Sequence, residues 1–67
     1  MINNIRMARL KAGLTQEVLA DRLNVSRQTI NALEKNKYCP STILALKLSN
    51  LFGIPVNDIF KLEDSDY

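Results

Sequence analysis

Side chains capable of covalent or acid–base chemistry are scarce in this chain. It has no histidine, so the usual proton shuttle near neutral pH is missing. Its one cysteine, Cys39, has no partner base and reads as an inert thiol, with a redox switch as the lesser alternative. One Cys and no His also exclude an intrachain disulfide and a Cys/His zinc site. The two glycines belong to no phosphate-cradling motif, and Asp58 beside Asn57 is helix-start chemistry. No enzyme, metal, cofactor or small-molecule ligand is therefore expected. What the chain does hold is a dense set of amide, guanidinium and ammonium groups between Thr15 and Lys37, TQEVLADRLNVSRQTINALEKNK. Such groups hydrogen-bond anions and the edges of planar rings.

Charge is distributed to match. The net charge is only +2, yet residues 1–50 carry eight of the nine basic residues against Glu17, Asp21 and Glu34. Residues 51–67 carry Lys61 against Asp58, Glu63, Asp64 and Asp66. A basic working face with an acidic tail (about 61–67) turned away from it is one reading, and scattered solvating charge is the other. Sixty-seven residues make a single domain, 1–67, with a core small enough for a second copy to complete. At 46% apolar the chain is globular, and its short apolar runs span no membrane and form no signal peptide. A lone thiol without an export signal points to the cytoplasm.

The elements that must position the polar segment follow from caps and stops. Asn3 or Asn4 caps a first helix with Ile5, Ala8 and Ala12 at helical spacing, and Gly13 ends it. Thr15 caps a second helix that buries Leu19, Ala20 and Leu23, and Asn24 stops it in the left-handed conformation. Ser26 caps a third, burying Ile30 and Leu33, with Lys35 in its last turn. Asn36–Ser41 is a loop, Ser41 starts a fourth helix closed by Gly53, and Pro55 leads a short fifth through Phe60. The acidic tail is expected to fray. Met1-Ile2-Asn3 and Phe60-Lys61-Leu62 can pair as a tiny antiparallel β-ribbon. The fold class is all-α.

Only Asn24-Val25-Ser26 joins helices two and three, so the pair must cross steeply, with the small Ala20 at the crossing and Val25 plugging the corner. That is a helix-turn-helix, about residues 16–35. It projects the start of the third helix, from Arg27, away from the protein.

Here the chain resembles the phage-repressor and Cro type of helix-turn-helix family, also called the xenobiotic-response-element type. The matching stretches are Ile5-Arg6, Arg9, Gly13-Leu14-Thr15-Gln16, Leu19-Ala20, Val25-Ser26, Ile30, Leu33-Glu34 and Pro40-Ser41, continuing with Ala45, Leu48, Gly53 and Asp58-Ile59-Phe60. RQTIN followed by EKNKY is similar to the small stand-alone members, of the cytolysin-operon repressor kind. The resemblance implies a five-helix repressor-like bundle that binds operator DNA as a homodimer without a ligand domain. It implies that Arg27, Gln28, Asn31 and Ala32 face the bases: arginine forks to guanine, glutamine or asparagine to adenine, and the Ala32 methyl touches a thymine methyl or reads nothing. Gln16, Ser26, Thr29, Asn36, Lys37 and Tyr38 are placed for phosphates.

Each assignment has a plain alternative. Gln16 and Ser26 are otherwise surface and cap residues, Arg27 and Gln28 phosphate ligands, Thr29 a residue serving its own helix. Lys35 and Lys37 are otherwise solvated charges and Tyr38 a packing residue. The resemblance also implies an ion pair between Arg9 and Glu34 that ties helix one to the end of helix three, either as a tight fork or as a loose surface pair. Val18 and Ile43 are apolar where the family is usually polar. Helix four, with Ile43, Leu44, Ala45, Leu46, Leu48, Leu51 and Phe52, is apolar on more sides than one core accepts. The implied dimer interface lies near Cys39, Pro40, Ile54, Val56 and Phe60.

The leading functional expectation is a sequence-specific DNA-binding regulator, a repressor that occupies a (pseudo)palindromic operator in the major groove. The alternative is an antitoxin or protein-interaction module on the same scaffold, which a longer partner-binding tail would favour.

Overall fold

Three serine or threonine hydroxyls start the helices that matter most. In the computed structural model, which describes residues 1–67, Thr15, Ser26 and Ser41 stand in extended conformation. Each accepts the backbone N–H three residues on: Val18, Thr29 and Leu44, all at 3.1 Å. Each bond satisfies a donor that the first helical turn leaves orphaned. The helices they open are α2 (Gln16–Leu23), α3 (Arg27–Glu34) and α4 (Thr42–Phe52); α1 (Ile5–Lys11) precedes them and α5 (Val56–Ile59) follows.

The stops are as uniform as the starts. Gly13, Asn24, Asn36 and Gly53 all have φ between 58° and 72°. After α2, the Val25 N–H reaches the Ala20 carbonyl at 3.0 Å and Asn24 reaches Asp21 at 3.3 Å. After α3, Lys37 reaches Ala32 at 2.9 Å and Asn36 reaches Leu33 at 3.1 Å. This paired pattern closes a helix around one left-handed residue, and asparagine is the non-glycine residue that best tolerates that conformation.

Ile5, Leu19, Ile30, Leu33, Leu48 and Ile59 are fully buried, and Ala20, Leu23, Leu44 and Phe60 complete the core. Ala20 sits where α2 and α3 cross, and Val25 packs from the corner. Burying Ile30 or Leu33 contributes roughly 1.5–3 kcal/mol each, which fixes the rotation of α3 about its own axis. Its inner face is set by packing and its outer face is left free.

The chain ends meet. β1 (Ile2–Asn3) pairs antiparallel with β2 (Phe60–Lys61), Ile2 opposite Lys61 and Asn3 opposite Phe60. The expected tiny ribbon is therefore present, one residue shorter in each strand.

Four local expectations need correction. Ala12 is exposed, and Arg9 takes the remaining buried place on α1, at 9% exposure, because its charge is paired. The helix-one cap is Asn4 by position, but its side chain donates to the Asp58 carbonyl at 3.0 Å, and Asn3 accepts the Ile5 N–H at 3.1 Å. Helix five stops at Ile59, since Phe60 is drawn into β2. The tail does not fray. Asp64–Asp66 forms one 3-10 turn, in which Asp66 accepts the Glu63 N–H at 2.8 Å. The Met1 ammonium meets Glu63 at 2.9 Å and Asp66 at 2.7 Å. No helix is long and apolar enough to cross a membrane.

Candidate nucleic-acid interface

The free face of α3 begins at its cap. Ser26 turns the chain outward, and the side chains of Arg27 and Gln28 on the first turn are exposed. Asn31 lies one turn along, half-buried. Arg27, Gln28 and Asn31 together line a shallow recess that contains no apolar side chain. Ala32 is half-buried toward the far end of the helix, its carbonyl committed to the stop. A surface made of guanidinium and amide groups, with no apolar wall, suits hydrogen bonding to polar edges and anions.

The residues expected at phosphates surround that face but differ in how free they are. Lys37 and Tyr38 are exposed in the loop after α3, unattached to other side chains. Ser26 and Thr29 hold each other, oxygen to oxygen at 2.9 Å, so both hydroxyls already serve the cap. Asn36 is the left-handed stop of α3, and its Oδ1 accepts from Asn3 Nδ2 at 2.8 Å. The Gln16 amide donates to Glu34 Oε1 at 3.1 Å, which leaves one of its two N–H groups for any outer partner.

Arg9 and Glu34 form a fork, Nε to Oε2 at 2.7 Å and Nη2 to Oε1 at 3.3 Å, with side chains only 10% and 5% exposed. The third arm, Nη1, donates to the Leu14 carbonyl at 2.9 Å. One guanidinium thus joins α1, the turn into α2 and the end of α3. Two bonds from Arg9 and one from Gln16 occupy the Glu34 carboxylate. Such a pair has its value in geometry, because burying charge offsets much of the attraction.

Away from this face, Cys39, Pro40, Val56 and Phe60 line one apolar groove with Ala45 and Leu46 of α4. Phe60 is 9% exposed and mostly core, so only its edge reaches the groove. Ile54 is not among the lining residues. It packs on the core and its carbonyl accepts the Ser49 hydroxyl at 2.6 Å. Ile43 (68%) and Leu46 (52%) are exposed on α4, as are Met7 and Leu10 on α1.

Two residues beside this face make contacts that the sequence reading does not place. Asn3 Nδ2 donates both to Asn36 and to the Leu33 carbonyl, each at 2.8 Å, so the ribbon holds the end of α3. Nothing in the sequence signals a link across thirty positions. Arg6 enters a recess with Gln16, Asn31 and Lys35; its spacing three before Arg9, on one helix face, was the available signal.

Comparison with known proteins agrees with this geometry: the helix-turn-helix family model matches residues 5–59. The chain belongs to the helix-turn-helix family, of the Cro and phage-repressor type. It is 50% identical to an uncharacterized HTH-type transcriptional regulator of Methanocaldococcus jannaschii, over 98% of this chain and 100% of the relative. An uncharacterized HTH-type transcriptional regulator of Methanothermobacter thermautotrophicus is 51% identical over 90% of this chain and 88% of its own length. YgzD of Bacillus subtilis, likewise an uncharacterized HTH-type transcriptional regulator, is 39% identical over 98% and 100%. Family and relatives together make this chain a DNA-binding transcriptional regulator.

Proposed function

We propose that the protein is a repressor that occupies a pseudopalindromic operator as a homodimer, in the cytoplasm, with residues of about 16–35 as the reading segment of a single domain. The observation that carries the reading is the outer face of α3. Arg27, Gln28 and Asn31 share one wholly polar recess, while Ile30 and Leu33 lock the opposite face into the core at 0% exposure. In this reading Arg27 forks to a guanine, Gln28 and Asn31 to adenines, and the Ala32 methyl meets a thymine methyl. Lys37, Tyr38 and the free N–H of Gln16 hold the backbone on either side, with Ser26, Thr29 and Asn36 contributing mainly by shaping the helix ends.

The dimer is supported by the apolar groove at Cys39, Pro40, Val56 and Phe60, and by the exposed Ile43 and Leu46 next to it on α4. One recognition helix spans only a few base pairs, and a two-fold pair reads half-sites about 10 base pairs apart. The deciding experiment is selection of bound duplexes from a random DNA pool. Two inverted half-sites at about one helical turn are expected. Failure to enrich any motif would overturn the reading in favour of a protein-interaction module.

A further inference from the structure

We propose that Arg6 and Lys35 form a backbone-phosphate seat on the α1 side of the reading face, a pair of DNA contacts additional to those proposed above. The inference rests on the DNA-binding reading and adds which groups anchor the strand on the α1 side.

Arg6 is on the first turn of α1 and Lys35 caps the end of α3, twenty-nine positions apart, and both are exposed. The fold brings them to one recess, with Gln16 and Asn31 on its wall and the Arg9–Glu34 fork forming the rest of the lining. Charge decides what such a recess accepts. Glu34 is the only carboxylate in its lining, and it is occupied by Arg9 at 2.7 and 3.3 Å and by Gln16 at 3.1 Å. Arg9 is neutralised in the same contact. Neither Arg6 nor Lys35 has a carboxylate within 4.0 Å. The recess therefore carries two uncompensated positive charges, and the second amide N–H of Gln16 is free to add a directed donor. A planar guanidinium, a point-like ammonium and an amide N–H around one hollow match the oxygens of a phosphodiester.

Position points to the strand of bound DNA as the occupant. Asn31 lines both this recess and the one formed with Arg27 and Gln28. An anion held by Arg6 and Lys35 thus lies next to the bases that α3 reads, as the flanking backbone does. Gln16 belongs to the same arrangement: its bond to Glu34 fixes the amide at the recess edge.

The test is titration of the intact protein against a duplex carrying its selected site, followed by fluorescence anisotropy over about 50–200 mM salt. Arg6→Gln and Lys35→Gln should each lower the slope of log affinity against log salt by about 0.9, and the double variant by about 1.8, because fewer counterions are released. Both should weaken the selected site and a site with one altered base by the same factor. Arg6→Lys should keep the slope. Unchanged slopes in both single variants and the double would overturn the seat, leaving these cations as solvated charges. A shift in base preference at constant slope would overturn it too, assigning the pair to the orientation of Asn31. Wild-type protein lacking salt-dependent DNA binding would remove the DNA-binding reading itself, an outcome distinct from either of these.

Discussion

Replacing Arg9 with methionine keeps the length and apolar stem of the side chain but removes the three hydrogen bonds its guanidinium donates. Two of these hold Glu34 at 2.7 and 3.3 Å and one holds the Leu14 carbonyl at 2.9 Å. Glu34, 5% exposed at its side chain, would keep only the Gln16 amide. Breaking a buried pair from one side costs about 3–5 kcal/mol, since the remaining charge stays desolvated. A 67-residue domain has roughly 3–10 kcal/mol to lose, so Arg9→Met should consume a third or more of it. The melting temperature should fall by roughly 12–40 °C at this size. Removing the charge as well, in Arg9→Met with Glu34→Leu, should recover most of the loss, because no unpaired carboxylate remains. Urea titrations at about 10 °C, near maximal stability, followed by circular dichroism, give the free energies for a double-mutant cycle. A single variant within about 1 kcal/mol of wild type would refute the reasoning and class the fork with exposed surface pairs. A double variant as unstable as the sum of the singles would refute it equally.

Arg27→Ala and Gln28→Ala should each cost about 1–3 kcal/mol on the selected operator and little on random DNA; equal losses on all sequences would reassign both residues to phosphate. Lys37→Ala should weaken every sequence and lower the salt slope by about one, as the same titrations would register. Val56→Asp places a carboxylate in the apolar groove and should yield a helical monomer with poor operator affinity, checked by sedimentation and a palindrome titration. A wild-type monomer at high micromolar concentration would contradict the dimer. Neighbouring carboxylates raise the pKa of the Met1 ammonium above its ordinary 8.0, so its hold on the tail should persist through pH 8 and fade as pH rises through the raised value. The Glu63 N–H and then the ammonium lower that of Asp66 below 3.8, so the tail should also release as pH falls through that depressed value. Amide shifts of residues 63–67, referenced to core amides, would follow both limbs, and constancy above pH 8 would refute the clamp.

The parts of the fold legible in the sequence are those governed by short-range chemistry. Thr15, Ser26 and Ser41 as starts, and Gly13, Asn24 and Gly53 as stops, each follow from one residue and its immediate neighbours. Asn36 is the same device as Asn24, yet the sequence places it in the loop as a phosphate ligand, because no apolar residue of the next helix follows closely to mark the stop. Ala12 was misjudged for a related reason. Periodicity ranks residues by hydropathy, whereas Arg9 is buried through a partner twenty-five positions away. Within the site, the outward direction of Arg27 and Gln28 follows from burial of Ile30 and Leu33. The convergence of Arg6 on Lys35, or of Asn3 on Leu33, depends on tertiary closure that no local pattern encodes. The tail reads as free because Glu63, Asp64 and Asp66 have only Lys61 nearby in sequence; the cation that holds Glu63 and Asp66 is the Met1 ammonium.

The ribbon also imposes an order on closure of the fold. Asn3, which holds the Leu33 carbonyl near the end of α3, is itself held through β1 by Phe60 and Lys61, and Asn4 is anchored to Ile59 and Asp58. Residues 2–4 therefore settle only when residues 58–61 are in place. Without that closure Asn3 has no anchor, and the end of α3 loses the side chain that holds it. Contacts this distant in sequence form late and bind the domain into one cooperative unit. A chain cleaved before residue 60 would carry Arg27, Gln28 and Asn31 and lack the closure that holds α3 in register.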